Sequence, residues 1–393
     1  MLYGSMDPNE RFRARRAHHR RRKRRRRAAA FGVALVAVLA VGAGAQLFTG
    51  NPKPAAAREK ATFVSMAALP APTGRPRPLP VEVRGVHVTS ALASIPGKLK
   101  EYVGYRKHGL NTIELDVKDE GGEIGFRPGS VPLAVNVGAA RSYYEPRAVA
   151  RLVHRNGLYL IGRVVVFQDP LLAEARPDLA VQRGDGSVWR TSGGLGWVNP
   201  YDRRVWDYVV SVAEVAAKAG FDEIMLDYVR FPSDGDVGSA IYPGKTSVPR
   251  GRQVADFIAY AKRRLEPLGV RVSTALFGLS ATRDMGLGQV PRWISEHVDT
   301  VSPMAYPSLY SNGELGISDP YREPGETVFR TLADFRKQLR GRHAQIVPWV
   351  QDFSGYGLAE VRAQIDAARL QGAKGFLLWN AEGRYTVKAL APA

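Results

Sequence analysis

The sequence predicts an α/β protein, a closed (β/α)8 TIM barrel preceded by an N-terminal transmembrane helix. Three observations lead to this fold class. Short apolar runs alternate with amphipathic helical patterns from residue 83 onward, polar side chains collect where these runs end, and an uncharged stretch of 21 residues follows a strongly basic N-terminus. The first two observations concern the barrel, and the third concerns the membrane helix.

The barrel is predicted from eight apolar runs rich in Val, Ile and Leu. Near-continuous apolar strands separated by helices are typical of a parallel sheet that helices cover. Helical patterns at 144–157, 203–220 and 361–372 each end in a glycine, a common helix stop. Eight βα units favour a closed barrel over the alternative, a doubly wound open sheet, whose nucleotide-binding form has a glycine-rich loop after the first strand that this sequence lacks. The runs are 83–90, 111–119, 159–170, 223–232, 271–278, 300–307, 344–353 and 375–380.

The N-terminus predicts a single-pass membrane protein. Residues 1–27 contain twelve Lys and Arg against two acidic residues, which is about half of the net charge of +19. Residues 28–48 carry no charge and are long enough to span a bilayer, and the basic flank predicts that the N-terminus is cytoplasmic. A nucleic-acid-binding arm is the alternative for a basic tail, but the apolar span directly after it favours the membrane, so no nucleic-acid partner is predicted.

The chain is therefore divided into four predicted parts. A cytoplasmic tail (1–27) and a transmembrane anchor (28–48) precede a linker (49–80) with seven prolines, which is typical of an extended spacer. The barrel domain occupies 81–393 and is predicted to lie outside the cytoplasm. Cleavage near Ala45, within a motif that resembles a signal-peptidase site, would instead give a secreted domain. The chain has no cysteine, so it has neither disulfides nor thiolate metal sites.

Polar side chains predict a functional cleft at one end of the barrel. The active sites of such barrels lie at the carboxyl ends of the strands, and here those ends carry acids, amides and aromatic rings. Two candidates have structural alternatives, because Asp169 would also serve as a helix N-cap and His87 would also fit the edge of the core. The candidates are His87, Asp116, Asp169, Asp227, Tyr228, Arg230, Tyr306, Trp349, Gln351, Asp352, Trp379, Asn380 and Glu382, with Trp197 in the loop after the third run.

The fourth run places one acid at the centre of this cleft. A strand alternates its side chains between two faces, so Asp227 shares a face with Glu223 and Met225. If that face lines the barrel, Asp227 points inward, whereas Tyr228 and Arg230 face the helix layer or the loop rim.

The chemistry indicated by these residues is glycoside hydrolysis. Carboxylates supply acid, base and nucleophile in glycosidases, and aromatic rings stack on the apolar faces of sugars while polar groups take their hydroxyls. The sequence has no Gly-x-Ser-x-Gly elbow and no His-Glu-x-x-His motif. No metal and no cofactor is predicted. A metal-dependent deacetylase is a weaker alternative, because its site usually needs histidine ligands.

Six segments of the chain stand out as motifs. They are VVVFQDP (164–170), GWVNPYDRRVWDY (196–208), FDEIMLDYVRFP (221–232), TVSPMAYPS (300–308), IVPWVQDF (346–353) and FLLWNAEGRY (376–385). These segments resemble those of a bacterial family of glycosyl hydrolases with a (β/α)8 barrel. The similarity extends over residues 83–388, and it implies the barrel fold and, less directly, the hydrolase reaction.

Two distant barrel families leave the catalytic pair open. The glutamate that chitinase-like enzymes use on the fourth strand would fall on Val229 here. Amylase-like enzymes have a nucleophile that would correspond to Asp227, but the fifth run ends in Ala-Leu-Phe-Gly without an acid. Asp227 is therefore the first catalytic candidate, with Asp352 or Asp116 as its partner and Glu382 as a fallback. The other candidates are expected to bind substrate.

The sequence thus predicts a membrane-anchored, extracytoplasmic glycosidase that acts on a polysaccharide. A glycan-binding or cell-envelope scaffold barrel without catalysis is the alternative. The scaffold also explains the anchor, the spacer and the aromatic residues, and it explains why no standard acid pair falls into place.

Overall fold

The computed structural model describes residues 76–392, which form a closed parallel barrel. Nine strand segments are joined in the order β5-β4-β3-β2-β1-β9-β8-β6-β7, and pairing of β5 with β6 closes the ring. β7 and β8 both pair with β6, so they are two parts of one barrel strand, and the predicted eight-stranded barrel is confirmed. The segments are β1 Val83–Val88, β2 Thr112–Lys118, β3 Tyr159–Val165, β4 Glu223–Asp227, β5 Arg271–Phe277, β6 Thr300–Ala305, β7 Gln345–Ile346, β8 Trp349–Gln351 and β9 Gly375–Trp379.

Helices cover the outside of the barrel. The longest begins after Asp202, whose carboxylate accepts a hydrogen bond from the Arg204 amide at 2.8 Å. It ends at Gly220, whose φ of 103° is a left-handed conformation that suits glycine. The α-helices are Ser90–Ala93, Lys98–Gly104, Pro132–Asn136, Pro146–Arg155, Pro170–Ala175, Arg203–Ala219, Arg250–Leu265, Pro291–Ile294, Pro324–Gln338 and Leu358–Leu370.

The strand register decides which polar residues meet. The Cα of Asp116 on β2 is paired with that of Arg163 on β3, and Val165 on β3 is paired with Asp227 on β4. The apolar side chains of the strands and helices form one core, to which β2, β3 and β4 contribute Leu115, Val164 and Leu226 with no solvent exposure. Since that core fixes the strands against the helix layer, it also fixes the inward-facing polar side chains.

The predicted tail, the predicted anchor and all but the last five residues of the predicted linker lie outside the described residues. Between residues 76 and 392, no helix has both the length and the apolar character needed to cross a membrane.

Candidate active site

Arg163 joins two of the predicted catalytic carboxylates. Its guanidinium donates to Asp227 Oδ2 from Nε at 2.9 Å and from Nη2 at 2.7 Å, and to Asp116 Oδ1 from Nη1 at 2.7 Å. All three side chains are nearly fully buried, with 1%, 1% and 4% exposure for Asp116, Asp227 and Arg163. The negative charges around Arg163 outweigh the effect of its burial and raise its pKa well above the ordinary value. The guanidinium is therefore a permanent cation between two acids.

Strand β4 ends at Asp227 because the backbone turns there. Tyr228 has a φ of 50°, which is unusual for a residue other than glycine. Its amide donates to the second carboxylate oxygen of Asp227, Oδ1, at 2.7 Å. A left-handed conformation costs about 1–2 kcal/mol. The turn holds the Asp227 carboxylate between the Arg163 guanidinium and the Tyr228 amide. The alternation of side chains between the two faces of the strand therefore stops at Asp227 and does not decide where Tyr228 and Arg230 point.

A second group of ionisable residues lies next to this cluster. His87 on β1 has Nδ1 3.6 Å from Glu114 Oε2 and Nε2 3.7 Å from Asp116 Oδ2. Glu114 is fully buried, and burial raises its pKa. Burial disfavours the charged form of His87, but the nearby charges of Asp116 and Glu114 outweigh it and raise the pKa of His87.

Aromatic side chains form one wall of the site. The Arg163 guanidinium carbon lies 5.7 Å from the ring centre of Trp349, and His87 stacks on Trp379 with ring centres 6.1 Å apart. Tyr306 packs against Trp379 at 5.7 Å. The Tyr306 hydroxyl and the Trp349 Nε1 are buried without a hydrogen-bond partner among residues 76–392. Both groups are thus available as donors to a ligand.

Asp352 is held by the C-terminal segment. Its two oxygens accept hydrogen bonds from the Thr386 hydroxyl at 2.8 Å and the Thr386 amide at 2.6 Å. Asn380 Nδ2 donates to the Asp352 carbonyl at 2.5 Å. Gln351 accepts from the Ser308 amide at 2.9 Å and donates to the Phe353 carbonyl at 3.2 Å. These contacts indicate that Asp352, Asn380 and Gln351 hold neighbouring backbone segments in place.

The other predicted site residues have mainly structural partners. Asp169 Oδ1 accepts from the Leu172 amide at 2.9 Å as a helix N-cap, and Oδ2 lies 3.0 Å from Lys118 Nζ. Arg230 is buried, 4.9 Å from the ring centre of Trp197 and 4.8 Å from that of Tyr228. Glu382 is exposed and pairs with Arg384. The partners of Asp169 and Glu382 therefore lie outside the Asp116–Arg163–Asp227 cluster.

Sequence reasoning missed Arg163 and Glu114. Both lie inside apolar runs, Glu114 as the third of seven residues of β2 and Arg163 as the fifth of seven residues of β3. The sequence could have indicated Glu114 by its position, because it lies two residues before Asp116 and therefore on the same face of β2. A charge on the inward face of a buried strand needs a partner across the barrel.

Carboxylates and an imidazole could also suggest a metal centre. Within the described part of the chain, no group of three His, Cys, Asp or Glu side chains is arranged to hold a metal ion. The positive charge between Asp116 and Asp227 is the guanidinium of Arg163.

Comparison with solved structures finds glycoside hydrolase barrels. The glycoside hydrolase domain of PgaB (BpsB) from Bordetella bronchiseptica is 15% identical, over 77% of this chain and 95% of that chain, with a TM-score of 0.56. The catalytic domain of β-amylase from Paenibacillus polymyxa is 13% identical, over 80% and 96%, with a TM-score of 0.50. At these identities the likeness establishes the fold alone.

One further solved structure has a higher sequence identity. A hypothetical protein from Ruminiclostridium thermocellum is 32% identical over 48% of this chain and 96% of that chain, with a TM-score of 0.44. No curated protein matches the chain. Residues 85–385 match the family model described as "Putative glycosyl hydrolase domain". Because this match covers most of the chain, including every strand from β2 to β9, the protein belongs to this glycosyl hydrolase family.

Proposed function

We propose that the protein hydrolyses glycosidic bonds of a polysaccharide, with Asp227 and Asp116 as the catalytic carboxylates. The observation that carries the proposal is the ion-paired cluster in which Arg163 contacts both acids at 2.7 Å. Membership of a glycosyl hydrolase family and the adjoining aromatic wall support the same reaction class.

The spacing of the two acids is compatible with this chemistry. Glycosidases hold their carboxyl groups about 5 Å apart for retention and up to about 9.5 Å apart for inversion. Both acids bind nitrogens of one guanidinium at 2.7 Å, so their contacting oxygens are closer than the upper limit. Trp349, Trp379 and Tyr306 would contact the sugar, and the Tyr306 hydroxyl would donate to one of its oxygens.

We also propose that the protein is anchored through residues 28–48, with the barrel outside the cytoplasm. The support is the uncharged span and its basic flank. Protease treatment of intact cells and of lysed cells distinguishes the two orientations. Degradation of the barrel in intact cells agrees with the proposal, whereas protection until lysis contradicts it.

The experiment that tests the reaction compares the purified full-length protein with its Asp227→Asn variant. Both are incubated with peptidoglycan, a capsular exopolysaccharide and starch, and new reducing ends are measured. We expect release by the wild type and at least a hundredfold loss in the variant. Asp366→Asn is the matched control, because Asp366 is an exposed helix carboxylate paired with Arg369.

The other outcomes are equally informative. Equal release by both forms would remove Asp227 from the mechanism. Retention of glycan without release by either form would support the alternative, a glycan-binding barrel that does not catalyse hydrolysis.

A further inference from the structure

The buried cluster carries more acids than cations. Glu114, Asp116 and Asp227 are each at most 1% exposed, and Arg163 is the cation that contacts two of them. An unpaired buried charge costs several kcal/mol. If all three carboxyls were ionised and His87 were neutral, two negative charges would remain uncompensated. The cluster is neutral only when two further protons reside on these carboxyls and His87.

The position of His87 shows where those protons can reside. Its ring lies between Glu114 at 3.6 Å and Asp116 at 3.7 Å, one carboxylate for each nitrogen. Both Glu114 oxygens and the His87 Nδ1 are buried without a hydrogen-bond partner among the described residues. Both distances are slightly longer than a hydrogen bond, and catalytic hydrogen bonds often shorten only when substrate binds.

The remaining groups around His87 do not supply the missing positive charge. Trp349 and Trp379 pack against the ring and do not titrate. The Tyr385 hydroxyl donates to the His87 carbonyl oxygen. A further acid, Glu120, has Oε2 3.4 Å from Arg163 Nη1. The charges that face the imidazole are therefore Glu114, Asp116 and Arg163, with Glu120 behind Arg163.

We propose that His87 and Glu114 form a proton store that serves Asp116, which makes Asp116 the general acid and Asp227 the ionised carboxylate. This assignment rests on the proposed glycosidase function. It agrees with the contacts of the two acids, because Asp227 accepts two hydrogen bonds from Arg163 and one from the Tyr228 amide, whereas Asp116 accepts one from Arg163. Hydrogen bonds to the charged form favour that form.

The proton transfers balance over one turnover. Protonated Asp116 gives its proton to the glycosidic oxygen as the bond from that oxygen to the sugar carbon breaks. His87, protonated on both nitrogens, then gives its Nε2 proton to Asp116 and keeps its Nδ1 proton, which faces the Glu114 carboxylate. The water that completes hydrolysis adds its oxygen to the sugar carbon, and its released proton restores the store. His87 and Glu114 are positioning residues, because they act through Asp116.

Two measurements on the full-length protein test the proposal. The first is a pH titration of 13C-labelled histidine by NMR, in which the signal lost in His87→Asn identifies His87. We expect His87 to remain protonated above the ordinary imidazole pKa of about 6.5, and to titrate at lower pH in Glu114→Gln. A midpoint at the ordinary imidazole value, unchanged in Glu114→Gln, overturns the proton store.

The second measurement is the pH dependence of kcat/KM for reducing-end release from the best-cleaved polysaccharide of the three above. In His87→Asn the imidazole proton is absent, so Asp116 cannot be reprotonated from His87 as the pH rises. We expect the basic limb to move by at least one pH unit to lower pH, with a tenfold loss at pH 7.5 and a smaller loss at pH 5. An unmoved basic limb overturns the role of His87.

His154→Asn is the matched control. His154 also faces a carboxylate, with Nε2 3.0 Å from Asp222 Oδ2, but both residues precede strands and lie at the opposite end of the barrel. Its pH profile should match that of the wild type. If the wild type releases no sugar while the NMR titration shows the coupled His87–Glu114 pair, the hydrolase proposal and the general-acid role fail together, whereas the buried proton pair stands.

Discussion

Arg163 donates to Asp227 from two nitrogens, at 2.9 and 2.7 Å, while a third nitrogen binds Asp116. One guanidinium thus neutralises part of the charge of both acids and fixes their separation. A single inward-facing arginine on β3 links three neighbouring strands through charge as well as through the sheet.

Replacing this arginine should destabilise the domain strongly. Arg163→Met leaves Asp116 and Asp227 buried without their cation, and breaking a buried ion pair costs about 3–5 kcal/mol. Urea unfolding measures the change. Arg204→Met is the control, because Arg204 is 59% exposed and its ion pairs should contribute at most about 1 kcal/mol. Similar losses in both variants would contradict the importance of the buried cluster.

The C-terminal segment should be stabilised by Asp352. Thr386→Val removes the hydroxyl that donates to Asp352 at 2.8 Å, and a hydrogen bond to a charged group contributes about 1.5–3 kcal/mol. Thermal unfolding should show this loss, while Thr246→Val, at an exposed position, should change stability by less than about 0.5 kcal/mol. Loss of turnover in Asp352→Asn at unchanged stability would instead support Asp352 as the partner of Asp227.

The first and last strands should not tolerate a side chain at Gly375. This residue has a φ of 120°, and an added Cβ would lie 2.0 Å from the Val83 carbonyl oxygen. Since the clash is with backbone, Gly375→Ala should cost more than about 3 kcal/mol, at the upper end of typical substitutions. Gly129→Ala is the control, because its Cβ meets no atom within 4 Å. Normal expression and melting of Gly375→Ala would contradict the close strand approach.

The stability of the domain should fall between pH 4 and pH 7 through Asp119. Burial, followed by the charges of Glu120 and Asp116, raises the pKa of Asp119 from 3.8 to about 7. In that window the folded state retains a proton that the unfolded state has lost, so stability decreases as pH rises. The Asp119 contribution to this decrease should be about 2 kcal/mol, roughly half of the full value for three pKa units because the group is partly exposed.

Asp119→Asn isolates this contribution. An asparagine oxygen can still accept from the Gly121 and Glu123 amides, both of which donate at 2.9 Å. The variant should therefore be more stable than the wild type at pH 8 and similar at pH 4. Other buried acids titrate in both proteins, so the difference between the two stability curves is the relevant quantity. Parallel curves would contradict the raised pKa.

The strands could be predicted from the sequence because their apolar runs are continuous. Each of the eight runs contains a barrel strand, and the seventh is divided because Val347 and Pro348 separate β7 from β8. Proline has no amide proton for the ladder. The helix ends at Gly157, Gly220 and Gly372 could also be predicted, because each position has a positive φ, which glycine adopts readily.

The candidate site could be predicted only in part. Asp227 and Asp116 lie at strand ends, where the fold class directs attention, and their common contact with Arg163 depends on the register of β2, β3 and β4. Asp352 has the same kind of position, yet its oxygens bind Thr386. Thr386 follows β9 in the chain, and no local sequence pattern shows that its segment folds back onto Asp352.

The contacts of the C-terminal segment have a consequence for biosynthesis. Gly383 accepts a hydrogen bond from the Tyr102 hydroxyl at 2.8 Å, Tyr385 binds the His87 carbonyl, and Thr386 binds Asp352. The amino-terminal strand β1 also obtains its second neighbour only from β9. During translation, a nascent chain that lacks its final strand exposes unpaired edges of β1 and β8, which are prone to association with other chains. The ring therefore closes only after β9 has left the ribosome.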